Sequence, residues 1–352
     1  MPGLIQQRLN LELPIIQAPM AGVQDSALAI AVSNAGGLGT LPCAIYSPEQ
    51  MRSELETIAK NCDKPFNANF FCHKPLPLDD ERERKWRAEL APFYREYGID
   101  EDAITPAQGR NTFDHAALEL MQEFKPAVVS FHFGLPAAEL LDAVKATGAM
   151  ILCSATTVAE ARWLEDHGVD AIIAQGIEAG GHRGMFLSDD LTSQVGTFSL
   201  LPQIVREVRV PVIAAGGIAD ADGVTAALQL GADAVQIGTA YLLCDEVHIS
   251  AVHRAALQSP GAVHTALTNR FSGRPARSIV NRLMRELGPL GEVSPFPLAG
   301  AALAPLRAAA ETAGLGDFSS LWAGQNTSGC RQIGAAELTH NLAHNLSRNL
   351  SR

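Results

Sequence analysis

The sequence predicts an α/β protein: a TIM (β/α)8 barrel with a second, smaller substrate or lid segment inserted after the eighth strand. Three observations predict it. Eight short apolar runs recur along the 352 residues. Each run is continuous rather than alternating in polarity, as strands buried on both faces are. Stretches of helical period lie between most of them, opening at Ser, Thr, Asp or Pro and closing at Gly. A doubly wound open sheet is the competing arrangement.

In chain order the runs are PIIQAPM (14–20), GLGTLPC (37–43), PFNANFF (65–71), AVVSFHFG (127–134), MILCSAT (150–156), AIIAQG (171–176), PVIAAGG (211–217) and AVQIGTA (234–240). Helical spacers include SALAIAVSNAG (26–36), SPEQMRSELETIAKN (47–61), PAAELLDAVKATG (136–148), TVAEARWLEDHG (157–168) and ADGVTAALQLGA (221–232). Two intervals break this rhythm. The 73–125 spacer is proline-punctuated and heavily charged, and 244–320 follows the last strand; both exceed an ordinary loop and so carry helices of their own. The expected organisation is a barrel over 1–243 with an excursion at 73–125, a substrate or lid segment over 244–320, and a C-terminal helix and tail over 321–352. In that tail Leu338, Leu342, Leu346 and Leu350 recur at i, i+4 spacing, which fits either a docking helix or a frayed end.

Composition narrows the function classes. The apolar share of 47% and charged share of 18% are those of an ordinary soluble globular protein. A net charge of −11 disfavours nucleic-acid or anionic-membrane partners, which need a basic face. Without a leader-like N-terminus or a long apolar stretch, the chain reads as cytoplasmic. The six cysteines fall into no paired spacing, and no metal is expected.

A barrel of this kind builds its site at the C-terminal ends of its strands. The polar and glycine residues there are Asn69, His132, Gln175, Gly216, Gly217, Gln236, Gly238 and Thr239. Glycines after the last two strands let backbone N–H groups approach a phosphate, although tight turns use the same residues. The amides of Asn69 and Gln175 suit either an uncharged heterocycle or a satisfied core position. His182, in the loop QGIEAGGHRG (175–184), is a candidate base near neutral pH or a solvated loop histidine.

The ordered set PIIQAPMAG, NANFFCH, VSFHFG, AQGIEAGGHRG, PVIAAGGIAD and QIGTAYLLCDE, continuing in SGRPAR and LWAGQ, resembles the class I nitronate monooxygenases, formerly 2-nitropropane dioxygenases. The resemblance implies a barrel holding non-covalent FMN that oxidises alkyl nitronates, propionate 3-nitronate among them, with O2 to a carbonyl compound and nitrite, a detoxifying reaction. It further implies flavin contacts at Met20, Asn69, Gln175, Gly180, Gly217, Gln236, Ile237, Gly238 and Thr239, a catalytic role for His182, and substrate contact by His132. The partners it implies are the small-molecule nitronate and O2, with a homodimer possible. An NAD(P)H:quinone or enoyl-thioester reductase on the same FMN barrel is the alternative enzyme, and a non-catalytic flavin-binding protein the alternative outside enzymes.

Overall fold

The computed structural model describes residues 2–74, 76–77, 79–101, 104 and 112–346. Its strands through the barrel region are β1 (Ile15–Gln17), β2 (Gly39–Pro42), β3 (Phe66–Phe71), β4 (Val128–His132), β5 (Met150–Ala155), β6 (Ala171–Gln175), β7 (Gly181–His182), β8 (Val212–Ala215) and β9 (Ala234–Ile237). All of these except β7 form one eight-stranded sheet in the order β1-β9-β8-β6-β5-β4-β3-β2. Every pairing within it is parallel. The ends of that order meet through a parallel bridge between Ile16 and Leu38, with Gln17 N–H donating to Leu38 O and Leu38 N–H to Ile15 O, both at 2.9 Å. The open doubly wound sheet is thereby excluded.

Alternation along each strand divides its residues between two apolar layers. Ile172 and Ala174 of β6 belong to the layer under the helices, while Ala171 and Ile173 join Ile16, Leu38, Val128, Leu152, Ile213 and Ala234 inside the barrel. The short helix Leu4–Leu9 stoppers the N-terminal end of that interior: Ile5 is fully buried, and the Asp233 carboxylate accepts the N–H groups of Leu4 and Ile5 at 2.8 and 2.7 Å. Because both layers are apolar, the runs read as continuous in sequence.

The helices begin where the capping signals stand. Asp25, Ser47, Thr157 and Asp220 each accept a backbone N–H at the start of Ser26–Asn34, Pro48–Asn61, Val158–Asp166 and Ala221–Gln229. No helix among the described residues is long and apolar enough to cross a membrane.

The two long intervals meet in a second core. Trp86, Leu90, Phe93 and Tyr94, on the helix Asp80–Tyr97, pack with Ala302, Leu303, Leu306 and Ala310 of the helix Gly300–Thr312 and with Phe271, Leu283 and Phe318. Trp86 Nε1 donates to Ala299 O at 3.1 Å and Tyr94 OH to Ala302 O at 2.7 Å, so the aromatic polar tips are satisfied as well. Strands β10 (Thr265–Thr268) and β11 (Ala276–Ile279) form a hairpin whose second strand pairs antiparallel with β7, placing Ala276 opposite His182. Near the C-terminus, Leu338 and Leu342 of the helix Ala335–Ala343 sink into the main core, and Thr339 Oγ1 lies 2.8 Å from Tyr241 OH. Leu346 packs against the same core, while Leu350 falls outside the described residues.

Candidate active site

Strand parity explains which polar residues share the barrel mouth. In β3, Ala68 and Phe70 face the helices, which turns Asn67, Asn69 and Phe71 inward; in β4, Val129 and Phe131 face out and Ser130 and His132 turn in. By the same alternation Gln175 ends β6 and Gln236 lies near the end of β9 on the inner side. Asn69, 4% exposed, donates to Ser130 Oγ at 2.9 Å, and Asn67 donates to the same hydroxyl at 2.9 Å and to Thr40 Oγ1 at 3.2 Å. The inner wall beneath the mouth is therefore a fixed amide and hydroxyl lattice. Gln236 Oε1 is buried there without a hydrogen-bond partner among the described residues, an acceptor that costs free energy unless something donates to it.

The loop after β6 is rigidly built. The Gln175 side chain spans it, donating Nε2 to His182 O at 3.0 Å and accepting Gly184 N–H at 2.8 Å. Arg183 is fully buried and donates to Gly176 O and Gln175 O, both at 2.7 Å, and to Gln194 Oε1. Burial pulls its guanidinium down to about 10, so it stays charged at neutral pH. Glu178 accepts Thr197 N–H at 2.8 Å and the Thr197 hydroxyl at 2.9 Å, capping the helix Thr197–Glu207. A methyl added to Gly176 would stand 1.9 Å from Thr197 Oγ1, which leaves glycine as the residue that fits.

His182 is held from the far segment. Its Nε2 lies 2.8 Å from Ser272 Oγ, and the next residue, Arg183, donates its N–H to Pro275 O at 2.9 Å. Four apolar rings surround the imidazole: Phe296 at 5.3 Å between centroids, Trp322 at 5.4 Å, Phe133 at 6.0 Å and Phe71 at 6.4 Å.

His132 stands directly beside this group. Its Nε2 is 3.2 Å from His182 O and its Nδ1 3.0 Å from Ser154 Oγ. A carbonyl only accepts, so Nε2 carries the proton and Nδ1 accepts from the serine hydroxyl. Burial, reinforced by the nearby Arg274 charge, pushes its pKa down to about 3, which keeps the ring neutral. Both ring nitrogens thus serve the protein, and what His132 offers the mouth is its ring.

The glycine turns after β8 and β9 meet a segment that sequence reasoning did not place. Gly216 and Gly217 have φ of 116° and 75°, which side-chain-bearing residues rarely adopt. Asn326 Nδ2 donates to Gly217 O at 3.1 Å, Gly324 N–H to Thr239 Oγ1 at 2.9 Å and Gln325 N–H to Glu178 O at 2.9 Å, so residues 324–326 tie the loops after β6, β8 and β9 together. A methyl on Gly180 would come within 2.6 Å of the Ala323 carbonyl carbon, and one on Gly238 within 3.2 Å of Ala18 Cβ and 3.9 Å of Met20 Sδ. Ile237 itself is buried on the helix side, where its carbonyl accepts Ala18 N–H at 2.8 Å. Among residues not singled out in the sequence, Phe71 was reachable by its parity with Asn69. Ser272 and Gly324 lie in the SGRPAR and LWAGQ pieces, whose partners are distant in sequence.

A closed parallel barrel whose strand ends collect amides, glycine turns and a ring-enclosed histidine is an enzyme of the (β/α)8 class. The family model described as nitronate monooxygenase matches residues 4–345. The chain is 42% identical over 341 residues to the nitronate monooxygenase of Pseudomonas aeruginosa, covering 95% of this chain and 96% of that one. It is 44% identical to the nitronate monooxygenase of Paraburkholderia phytofirmans, covering 95% and 92%. Among solved structures, the nitroalkane oxidase from Streptomyces ansochromogenes superposes with a TM-score of 0.89 at 38% identity, covering 99% of both chains. FabK from Thermotoga maritima superposes with a TM-score of 0.72 at 26% identity, covering 100% and 98%. The chain belongs to the nitronate monooxygenase family and is an oxidoreductase that acts on nitronates.

Proposed function

We propose that the chain binds FMN across the C-terminal mouth of the barrel and oxidises small alkyl nitronates, propionate 3-nitronate among them, with O2 to a carbonyl compound and nitrite. The observation that carries this reading is the placement of His182 inside a ring of four apolar side chains, beside inward amides and glycine turns.

The residues present fit FMN. The orphaned Gln236 Oε1 is an acceptor suited to a ring N–H of the flavin. Thr239 Oγ1 already accepts from Gly324 N–H, which leaves its hydroxyl proton to donate to a phosphate oxygen. The positive-φ turn at Gly216 and Gly217 and the tight packing at Gly180 and Gly238 keep side chains out of the way of a phosphate approaching backbone N–H groups. Gln175 stands at the end of β6, Asn69 near the end of β3, and Met20 lies beside Gly238. These are local devices, which lets a chain of net charge −11 hold a dianion.

When bound, FMN supplies the one-electron chemistry with O2. A nitronate is already a stabilised carbanion and needs no strong base. A neutral nitroalkane must first lose its α-proton, and His182 is the group placed to take it or, once protonated, to hold the nitro oxygens. Gln175 and His132 fix the His182 backbone through its carbonyl, and Ser272 fixes the ring through Nε2. Phe71, Phe133, Phe296 and Trp322 exclude water from the reacting centre.

The test is the absorbance spectrum of the purified protein before and after anaerobic addition of a nitronate or of NADH. A yellow chromophore bleached by the nitronate and not by NADH is the expected result. Rapid bleaching by NADH alone favours a reductase, and a protein that stays colourless after incubation with FMN defeats the flavin reading.

A further inference from the structure

We propose that Arg274 forms an anion subsite at the rim of the His182 pocket and selects nitronates that carry a carboxylate on their carbon chain. The inference rests on the nitronate-oxidising reading and names the substrate feature that this pocket recognises.

The lining of the pocket poses the problem. The rings of Phe71, Phe133, Phe296 and Trp322 beside His182 are themselves uncharged, and a protein of net charge −11 repels a second carboxylate. Recognition of such a substrate therefore needs a local cation.

Three arginines stand near the loop after β6, and their hydrogen bonding separates them. Arg183 is satisfied by Gln175 O, Gly176 O and Gln194 Oε1. Arg277 donates Nε to Ile177 O at 2.9 Å and Nη1 to Thr265 Oγ1 at 3.2 Å. Arg274 donates Nη2 to Met185 O, while its Nε is buried with no partner among the described residues. No carboxylate among the described residues forms an ion pair with it. The carboxylates whose charge reaches it are Asp189 and, more weakly, Glu160, and Glu160 is already occupied by the N–H groups of Thr156, Phe186 and Leu187. A buried unpaired donor costs about 1–3 kcal/mol, a cost that an arriving carboxylate removes.

Position favours the same group. Arg274 lies two residues beyond Ser272, whose hydroxyl holds His182. Its guanidinium carbon sits 4.1 Å from the centroid of Phe133, whose ring is 4.4 Å from that of His132 and 6.0 Å from that of His182. The Arg274 charge also reaches His132, where it disfavours the imidazolium. In a three-carbon nitronate three bonds separate the nitro nitrogen from the carboxylate carbon, a span of about 3.8 Å when extended. With the nitro group at His182, a carboxylate directed across the Phe133 ring would face the guanidinium.

The experiment compares propionate 3-nitronate with uncharged propyl 1-nitronate on the FMN-loaded wild type, Arg274→Met and Arg274→Lys. The wild type is expected to favour the carboxylated substrate. Arg274→Met should raise KM for it by about 10- to 100-fold, the loss of a hydrogen bond to a charged group, and change KM for propyl 1-nitronate less than threefold. Arg274→Lys should recover part of the loss. Propionate, as a dead-end ligand, should perturb the flavin spectrum of the wild type and not that of Arg274→Met. Equal losses on both substrates, or a wild type that neither prefers the carboxylated nitronate nor binds propionate, overturn the proposal; the wild-type measurements stand even if the variant fails to fold. A wild type that oxidises neither nitronate overturns the functional reading itself, a result distinct from failure of the subsite.

Discussion

His182 Nε2 and Ser272 Oγ stand 2.8 Å apart, joined across 90 residues of chain by the pairing of β7 with β11. The proposed base thus sits on a loop of the barrel, while the group that orients it belongs to the segment after the last barrel strand. Removing that hydroxyl removes one hydrogen bond of about 1 kcal/mol, or roughly fivefold. Ser272→Ala should lower kcat by about that factor while FMN content stays unchanged, and Ser272→Thr should restore most of it. Unchanged kinetics in Ser272→Ala would show that the β-pairing alone orients the ring.

The base role itself separates two substrates. His182→Asn should retain FMN and lose about 10²- to 10⁴-fold in kcat/KM on a neutral nitroalkane, the usual contribution of a general base. On the preformed nitronate the loss should be far smaller. Parallel steady-state assays read the difference, and equal losses on the two substrates count against proton abstraction by His182.

Buried histidines set an acid limit on stability. His132 is pushed down to about 3 and His253, whose Nε2 lies 3.1 Å from Trp322 O, to about 4, in both cases chiefly by burial. An unfolded histidine titrates near 6.5, so below that pH the unfolded chain binds protons that the folded one refuses. Stability is therefore full above about 6.5 and falls as the pH drops toward each folded value. Between pH 6.5 and 5, above the main carboxylate range, Tm should fall for the wild type and fall less steeply for His253→Asn. Equal slopes in the two proteins would contradict the depressed value.

Two glycine substitutions should act in opposite directions. Gly176→Ala puts a methyl 1.9 Å from Thr197 Oγ1 and 2.4 Å from its backbone nitrogen, displacing the helix start that Glu178 caps. It should destabilise by more than about 3 kcal/mol and lower flavin content, since overpacking of this severity exceeds the usual range. Gly223→Ala, inside the helix Ala221–Gln229 with its closest contact at 3.4 Å, should be neutral or stabilise by about 0.5–1 kcal/mol. Thermal denaturation of both variants checks the pair.

Much of the candidate site was legible because strand parity and position are local properties. Asn69, Gln175 and Gln236 stand at or near the ends of runs whose alternate residues pack under helices, so their direction follows from the pattern. The role of His132 was not legible to the same degree. The sequence placed it at the mouth; its bond to Ser154 joins the neighbouring strands β4 and β5, whereas its bond to His182 O depends on how the loop after β6 folds back over the mouth. Glu178 has no sequence signal for its partner either, since Thr197 becomes its neighbour through the turn that Gly176 permits.

The sequence by itself determined the eight barrel strands, their order along the chain, the helix starts at Asp25, Ser47, Thr157 and Asp220, and the polar residues at the strand ends. These follow from burial pattern and capping, which act over a few residues. Only the tertiary structure decided that the helix Asp80–Tyr97 shares a core with Gly300–Thr312, that β11 extends the His182 loop into a sheet, and that residues 324–326 bind the loops after β6, β8 and β9. Each joins segments far apart in sequence through side-chain fit and backbone hydrogen bonds. Such contacts leave no periodic trace, because the free energy that selects them comes from surfaces that exist only once both segments have folded.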